Sequence, residues 1–429
     1  MCNVMRKSED LTAFRSSSAR VNCSLRKFVS LDQRAMYGEG AYWACSAQSR
    51  SIARGTARRC LARSSCRSSS ARLSSRSVRT RSPLAFAFVI RAIYEVDPPE
   101  AAETLALLES VGRADGPERV RGTVASQSDG RAVLEFPEQN WGGDVTLLVS
   151  SLLAGEWADS SAFARCRLVE LELPTVLLPG PAFAAPEQVL VGAIVKPSLG
   201  LSPEEVASIA AALGAGGADL VKDDELLGDP DWCPLEARVE AVAAVLPDGV
   251  RYAANVTGPV ESLLERAHRV VELGAGAVMV NAFAQGLDSL RALRAAELGV
   301  PIFAHRVGAA LWARDRRFGV APAVIAEITR RCGADYVQVG SFTGSVYDTP
   351  EDVRAQIGSC HRPLGQLSRS VAVIGGGVGP RNARAQVEAA GVSTGLMVLL
   401  GSAAYDGSPE DAVRETVASV RPNNAAESA

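Results

Sequence analysis

From residue 189 to about 421, short runs of Val, Ile, Leu and Ala alternate with segments whose apolar residues recur at helical spacing. The runs are VLVGAIVKP, ADLVKDDE, VRYAANVTG, AVMVNAF, PIFAHR, ADYVQVGS, SVAVIGGG and GLMVLLGS. Near-continuous apolar runs of this length read as strands buried on both faces, the mark of a parallel sheet covered by helices. Several intervening helices, such as SPEEVASIAAALGAGG, TPEDVRAQI and SPEDAVRETVASV, follow a Ser or Thr and begin with Pro, and several end at Gly, as helix caps prefer. Eight such units predict a (β/α)8 TIM barrel. A doubly wound sheet would use fewer strands and put its glycine-rich turn after the first. Here the glycine-rich turns follow strands seven and eight, where barrels bind phosphate.

Upstream the pattern changes. AFAFVIRAIYEV (85–96) reads as a strand, and PPEAAETLALLESVG as an amphipathic helix opened by Pro98 and Pro99 and closed by Gly112. RGTVASQSDGRAVLEF places Asp129-Gly130 between two alternating runs, a hairpin signal. VTLLVSSLLAGEW reads as an apolar helix and CRLVELELP as a strand, and PTVLLPGPAFAAPEQ, with four prolines, as a linker. The order β-α-β-β-α-β is the ferredoxin-like pattern. The fold class is therefore α/β, with an α+β ferredoxin-like N-terminal domain at 84–180, a TIM barrel at 181–421 and a tail at 422–429.

Composition separates residues 1–83 from this body. They hold 17 of the 45 basic residues and four acids, for +13, whereas the remainder carries 28 basic and 44 acidic residues, for −16. With 15 Arg, 18 Ser and no apolar periodicity, the leader is expected to be disordered. Its composition is that of an organellar transit peptide, and also of sequence read from a start codon placed too far upstream in a GC-rich genome, which is the reading preferred. An acidic body argues against nucleic acid or an anionic membrane as the main partner, and no run approaches the roughly 18 apolar residues of a span. Five of the nine cysteines lie in the leader and none forms a CxxC pair. The body thus reads as a reduced, cytoplasmic protein, organellar if the leader is a transit peptide.

Polar residues fall at the carboxyl ends of the strands, where barrels build active sites. Lys196 ends strand one, Lys222-Asp223-Asp224-Glu225 strand two, Asn255 strand three, Asn281 strand four and His305-Arg306 strand five, while Gly375–Gly377 and Gly401-Ser402 end strands seven and eight. Alternation puts Lys222 and Asp224 on one face and Asp223 on the other, with Glu225 joining the first two if the strand has begun to turn. A lysine beside two carboxylates is commonly a plain ion pair. Two carboxylates with a third oxygen donor also make a site for a hard cation such as Mg²⁺. The glycines serve either a turn or the approach of backbone N–H groups to phosphate. His268 and His361 read as ordinary surface residues.

These residues resemble the RuBisCO large-subunit superfamily from Phe86 to the end. The resemblance is carried by VGAIVKPSLGLSPEE (191–205) and GGADLVKDDELLGDP (216–230). It implies that Lys222 is carbamylated by CO₂ and binds Mg²⁺ with Asp224 and Glu225, and that Lys196 handles protons on the substrate's carbon skeleton. It further implies that His305 contacts substrate, that Arg306 holds a phosphate, and that Gly376, Gly377, Gly401 and Ser402 form the backbone site for another. Glu109 in LLESVG matches an acid that reaches into a neighbouring subunit's site, so a homodimer or higher homo-oligomer is expected. Four departures stand out. Ser198 replaces a lysine, Gln338 a phosphate-contacting histidine, Ser345 the loop lysine that stabilises a carboxylated intermediate, and Glu156 an asparagine.

The chain therefore looks like a RuBisCO-like protein of the form IV kind. The resemblance implies a Mg²⁺-dependent enolase, isomerase or decarboxylase acting on a phosphorylated keto sugar acid or a methylthio-keto phosphate, and no carboxylation of ribulose bisphosphate. The alternatives are a Schiff-base aldolase using Lys196 or Lys222, and a non-catalytic regulatory relative.

Overall fold

The computed structural model describes residues 88–174, 178–344 and 346–421. The leader, the tail and Ser345 lie outside them. In the small domain, β1 (Val89–Asp97), α1 (Ala102–Leu108), β2 (Thr123–Ser128), β3 (Arg131–Pro137), α2 (Val145–Leu148, continued by a π-turn over Val149–Leu153) and β4 (Arg165–Glu172) follow in the expected order. Period-2 alternation buries Ile90, Ala92, Tyr94 and Val96 of β1 and Ala132, Leu134 and Phe136 of β3 on the face that α1 and α2 cover. The β2–β3 turn is made by Asp129 (φ 49°) and Gly130 (φ 72°), both left-handed as a type I′ hairpin needs.

The sheet order is β4-β1-β3-β2, the ferredoxin-like one, with a fifth strand beside β4. This strand, β10 (Phe318–Val320), comes from the barrel half of the sequence and runs parallel to β4. Cys166 N–H donates to Arg317 O at 2.9 Å, and Ala321 N–H to Leu168 O at 2.8 Å. A three-residue strand leaves too short a pattern to read. It pairs the barrel directly with the small domain.

The barrel closes in the order β11-β12-β13-β5-β6-β7-β8-β9, every pair parallel. Its strands are β5 (Leu190–Ile194), β6 (Leu220–Lys222), β7 (Arg251–Asn255), β8 (Ala277–Asn281), β9 (Ile302–His305), β11 (Tyr336–Val339), β12 (Val371–Gly375) and β13 (Leu396–Leu400). Leu190, Leu220, Met279, Phe303, Tyr336, Met397 and Leu399 point inward and form their own buried cluster. Val191, Val221, Val280, Val337, Val398 and Leu400 join the outer core with the helices. Two buried faces explain the near-continuous apolar runs.

The longer helices are α3 (Pro203–Ala215), α4 (Leu235–Ala243), α5 (Leu263–Glu272), α7 (Asp288–Ala295), α9 (Pro322–Arg331), α10 (Pro350–His361), α11 (Ala383–Ala390) and α12 (Pro409–Val420), with short turns α6 (Ala282–Gln285) and α8 (Ala309–Ala313) between them. Capping boxes at Ser202/Glu205 and Thr349/Asp352 start α3 and α10, satisfying backbone N–H groups that a helix start leaves unpaired.

At the amino ends of the strands two acids tie the floor together. Asp335 accepts from Ala182 N–H (2.9 Å), Phe183 N–H (3.0 Å) and Ile302 N–H (2.8 Å), and pairs with Arg294. Asp219 accepts from Val191 N–H (2.7 Å) and pairs with Arg421. His361 corrects one expectation. It is half-buried rather than a surface residue, because its Nε2–H donates to Gly395 O at 2.8 Å beneath β13. His268 is exposed as expected. The cysteines Cys166, Cys233, Cys332 and Cys360 are buried free thiols.

Candidate active site

Inward parity selects the site. Leu220 points in and Val221 out, so Lys222 points in, Asp223 out and Asp224 in. The same count turns His305 inward after Phe303 and Gln338 after Tyr336. A cavity of about 620 Å³ opens at the carboxyl ends of the strands and is lined by Lys196, Glu225, His305, Arg306, Gln338, Gly376, Gly377, Gly401 and Ser402, among others. Most of the residues expected at a site are thus brought together. Lys222 and Asp224 are buried and do not line the cavity, and neither does Glu109.

Lys196 Nζ lies 2.5 Å from Asp224 Oδ2 and donates to Ser198 Oγ at 3.0 Å. Burial pushes the Asp224 carboxyl up, but the Lys196 ammonium and the Leu226 N–H outweigh it and hold the group below its usual range. Lys222 is fully buried. Its Nζ donates to Asp223 O at 2.6 Å and lies 5.9 Å from the centre of the Phe303 ring. Desolvation pulls its ammonium down to about 8, against the attraction of Glu225, Asp224 and Asp223. Glu225 Oε2 sits 3.4 Å from His305 Nε2. His305 is held well below its ordinary range, by burial first and then by Lys222, Arg306 and Lys196, so its ring is neutral. Asn255 and Asn281 donate to Glu225 O at 3.3 and 2.9 Å and fix the turn after β6.

Sequence reading missed three supports. Asp223 faces away from the cavity and is grasped by Arg238 of α4, by Tyr252 Oη and by Asn255 N–H at 2.9 Å. This locks the strand end that carries Lys222 and Asp224. Tyr405 Oη accepts from Lys196 N–H at 3.0 Å and donates to Ile194 O at 2.8 Å, joining the loop after β13 to the general-base candidate. Asp348 Oδ2 accepts from Arg306 Nη2 at 2.9 Å. No local pattern marks any of the three, since each partner lies on a distant element.

The phosphate candidates occupy the turns after β12 and β13. Gly376 (φ 102°) and Gly377 (φ 77°) take left-handed conformations. A Cβ on Gly376 would lie 2.5 Å from Val346 Cγ1, so only glycine fits there. Gly401 precedes the 3₁₀ turn Ser402–Tyr405. Glu109 caps α1 in the small domain, is buried, and accepts from Trp157 N–H at 3.1 Å. Burial raises its carboxyl to about 7. Ser198 is placed as expected beside Lys196, and the exposed Glu156 lies near Glu109.

Among the described residues no three His, Cys, Asp or Glu side chains form a metal-binding group. Asp224 and Glu225 supply two carboxylates at the mouth, and the Asn281 Oδ1 atom beside Glu225 is buried without a partner. A hard cation would find two carboxylates here, one beside His305 Nε2 and one held by Lys196, and a third oxygen donor if Lys222 carried a carboxyl group.

A family described as "Ribulose bisphosphate carboxylase large chain, catalytic domain" matches residues 179–402. A ribulose bisphosphate carboxylase-like protein of Allochromatium vinosum is 32 % identical over 265 residues, or 57 % of this chain and 58 % of that protein. A 3-oxo-isoapionate-4-phosphate transcarboxylase/hydrolase of Xanthobacter autotrophicus is 32 % identical over 60 % of this chain and 66 % of its own. A 2,3-diketo-5-methylthiopentyl-1-phosphate enolase of Geobacillus thermodenitrificans is 36 % identical over 50 % and 57 %. The chain therefore spans less than two thirds of the length of these relatives. The crystal structure of a RuBisCO-like protein from Alicyclobacillus acidocaldarius superposes with a TM-score of 0.67 at 27 % identity, over 78 % of this chain and 93 % of that one.

Proposed function

Starting from a chain that belongs to the ribulose bisphosphate carboxylase large-chain family, as a RuBisCO-like protein of the form IV type, we propose that it enolises a phosphorylated keto compound and does not fix CO₂ onto ribulose bisphosphate. The substrate class is a phosphorylated keto sugar or sugar acid, or a methylthio-keto phosphate, and the overall reaction is that of an enolase, isomerase or decarboxylase. One observation carries the reading. Lys196 is held against Asp224, beside Lys222 and Glu225, in the cavity whose neighbouring strands β12 and β13 end in Gly376, Gly377, Gly401 and Ser402.

Mg²⁺ suits this corner, with Asp224, Glu225 and a carbamate of Lys222 as its oxygen ligands. When bound, it polarises a substrate carbonyl and so acidifies the adjacent carbon. Lys196 moves the proton at that carbon. Its Nζ is steered by Ser198 and Asp224, and its backbone is held by Tyr405. Neutral His305 is placed to exchange hydrogen bonds with substrate oxygens. The backbone N–H groups after β12 and β13 hold the phosphate, aided by the positive end of the following turn. In a homodimer, the small domain of one subunit would complete the partner's mouth through the exposed Glu156, with Glu109 buried behind it against Trp157 N–H. The chain's own departures favour enolisation over carboxylation, because Gln338 and Ser198 bring no cation to the cavity. Among the described residues no helix is long and apolar enough to cross a membrane.

The test is proton exchange in D₂O followed by NMR, with 2,3-diketo-5-methylthiopentyl-1-phosphate and keto-sugar-acid phosphates as candidates. Deuterium next to the carbonyl is expected, dependent on Mg²⁺, stimulated by bicarbonate and abolished in Lys222→Ala. Labelled CO₂ incorporated into ribulose bisphosphate would refute the reading. So would exchange that survives EDTA while borohydride traps a lysine adduct, which is the behaviour of a Schiff-base aldolase. A fully active monomer in sedimentation would remove Glu109 and Glu156 from the site.

A further inference from the structure

In the closed barrel β9 stands four strands from β5, diametrically across from Lys196, whereas β13 neighbours β5 and β12 stands two strands from each. Arg306, which follows β9, thus lines the wall of the cavity opposite Lys196, two and three strands from the glycine turns after β12 and β13. Its charge is already matched within the chain. Nη2 donates to Asp348 Oδ2 at 2.9 Å, and the Asp348 side chain is fully buried. The other carboxylate oxygen of Asp348 accepts from Gln356 Nε2 at 2.8 Å. A Cβ on Gly340 would lie 2.6 Å from Asp348 Cγ, so backbone is packed against the carboxylate and it has no room to swing aside. The guanidinium also lies over the Tyr347 ring, at 5.3 Å, and its Nη1 is buried with no hydrogen-bond partner. With Nη2 committed to Asp348, only Nη1 of the terminal pair is left for a ligand, so that pair cannot grip a phosphate in the two-bonded fashion that suits arginine to the task. Gln338, inward on the next strand, adds no charge, and Arg314 is exposed to solvent at the rim.

We propose that Asp348 determines substrate class: by pairing with Arg306 it makes the β9 wall of the cavity electrically neutral, so the substrate carries a single phosphate and presents an uncharged end to that wall. This rests on the reading of the glycine turns as the phosphate site. A second phosphate, or a carboxylate, at the β9 wall would meet a fixed carboxylate behind Arg306, and like charges brought together in a partly dry site oppose binding strongly. A neutral hydroxylated or thioether end meets no such penalty. Of the candidate substrates, methylthio-keto phosphates and neutral keto-sugar monophosphates are favoured over sugar-acid phosphates and bisphosphates.

The experiment is calorimetric titration of the Mg²⁺- and bicarbonate-treated enzyme with ribulose 5-phosphate and with ribulose 1,5-bisphosphate, in wild type, Asp348→Asn and Asp348→Ser. Wild type should bind the bisphosphate no tighter than the monophosphate. Each variant should gain at least tenfold in bisphosphate affinity while its monophosphate affinity changes less than threefold, a ligand-selective gain that general loosening of the fold would not produce. A wild type that prefers the bisphosphate by more than tenfold, or variants whose affinity ratio is unchanged or that bind neither ligand, would overturn the proposal. If the wild type binds neither compound and bisphosphate binding appears in the variants, the role of Asp348 stands and the phosphate role of the glycine turns falls. Enolisation with an unchanged affinity ratio is the reverse case.

Discussion

Both ends of the barrel carry buried charge, and they use it in opposite ways. At the floor, Asp335 accepts three backbone N–H groups and pairs with Arg294, and Asp219 accepts a backbone N–H and pairs with Arg421. These carboxylates are saturated by the chain itself. At the mouth, Lys222 makes one hydrogen bond to a carbonyl, Glu225 has only a 3.4 Å approach to His305, and Asn281 Oδ1 has no partner. Charge at a strand end is therefore no sign of function in itself. What separates the two ends is unused bonding capacity beside a cavity, since unsatisfied buried polar groups are costly and persist where a ligand completes them. The pair of Arg306 and Asp348 is intermediate, its charge matched within the chain while Nη1 is left without a partner.

The largest effect that would test this contrast is loss of activity at the mouth without loss of fold. Lys196→Met should lower the rate of deuterium exchange by about 10²–10⁴, the usual contribution of a proton-transferring group. Its unfolding free energy should fall by less than about 3 kcal/mol, because Lys196 is partly exposed and Asp224 keeps the Leu226 N–H bond. Parallel kinetic and urea-denaturation measurements decide the matter, and a variant that unfolds but exchanges normally would reverse the contrast. Next comes the floor. Asp335→Ala removes the acceptor of three backbone N–H groups, that of Ile302 buried, and the carboxylate partner of Arg294, so a loss of about 3 kcal/mol is expected, with exchange per folded molecule unchanged. Destabilisation below about 1 kcal/mol would mean that the floor is not held by this acid.

The contrast was only half legible in the sequence. The eight strands were, because two buried faces write continuous apolar runs, and alternation along the second of them put Lys222 and Asp224 on one face and Asp223 on the other, as they stand. Lys196 and its partner Tyr405 lie 209 positions apart, and Asp348 pairs with Arg306 across 42. Nothing local marks a tyrosine or an aspartate as the partner of a residue brought near only when the barrel closes. For the same reason Asp335 passed unremarked, although it accepts from three backbone N–H groups, and β10 was invisible because its meaning lies in β4, on the other domain. Local pattern reports the elements and the direction in which side chains point, and long-range closure decides which charges are left free.

The smallest effect concerns protons at the floor. His361 is half-buried and donates to Gly395 O. Desolvation lowers its pKa first, the bond to Gly395 O raises it, and the nearby Arg369 and Arg330 lower it again, for a net shift below the ordinary 6.5. The folded chain thus binds this proton less readily than the unfolded one. Its contribution to stability is complete above about pH 6.5 and is lost as the pH falls below that value through the folded pKa. Because the ring keeps part of its hydration, the effect should not exceed about 1 kcal/mol. Urea midpoints at pH 7.5 and 5.5 measure it. Wild type should lose more stability between these values than His361→Gln, with the difference absent from exchange rates per folded molecule. Equal losses in the two proteins would show that His361 does not titrate with folding, and a matching change in the exchange rate would place it with the mouth after all.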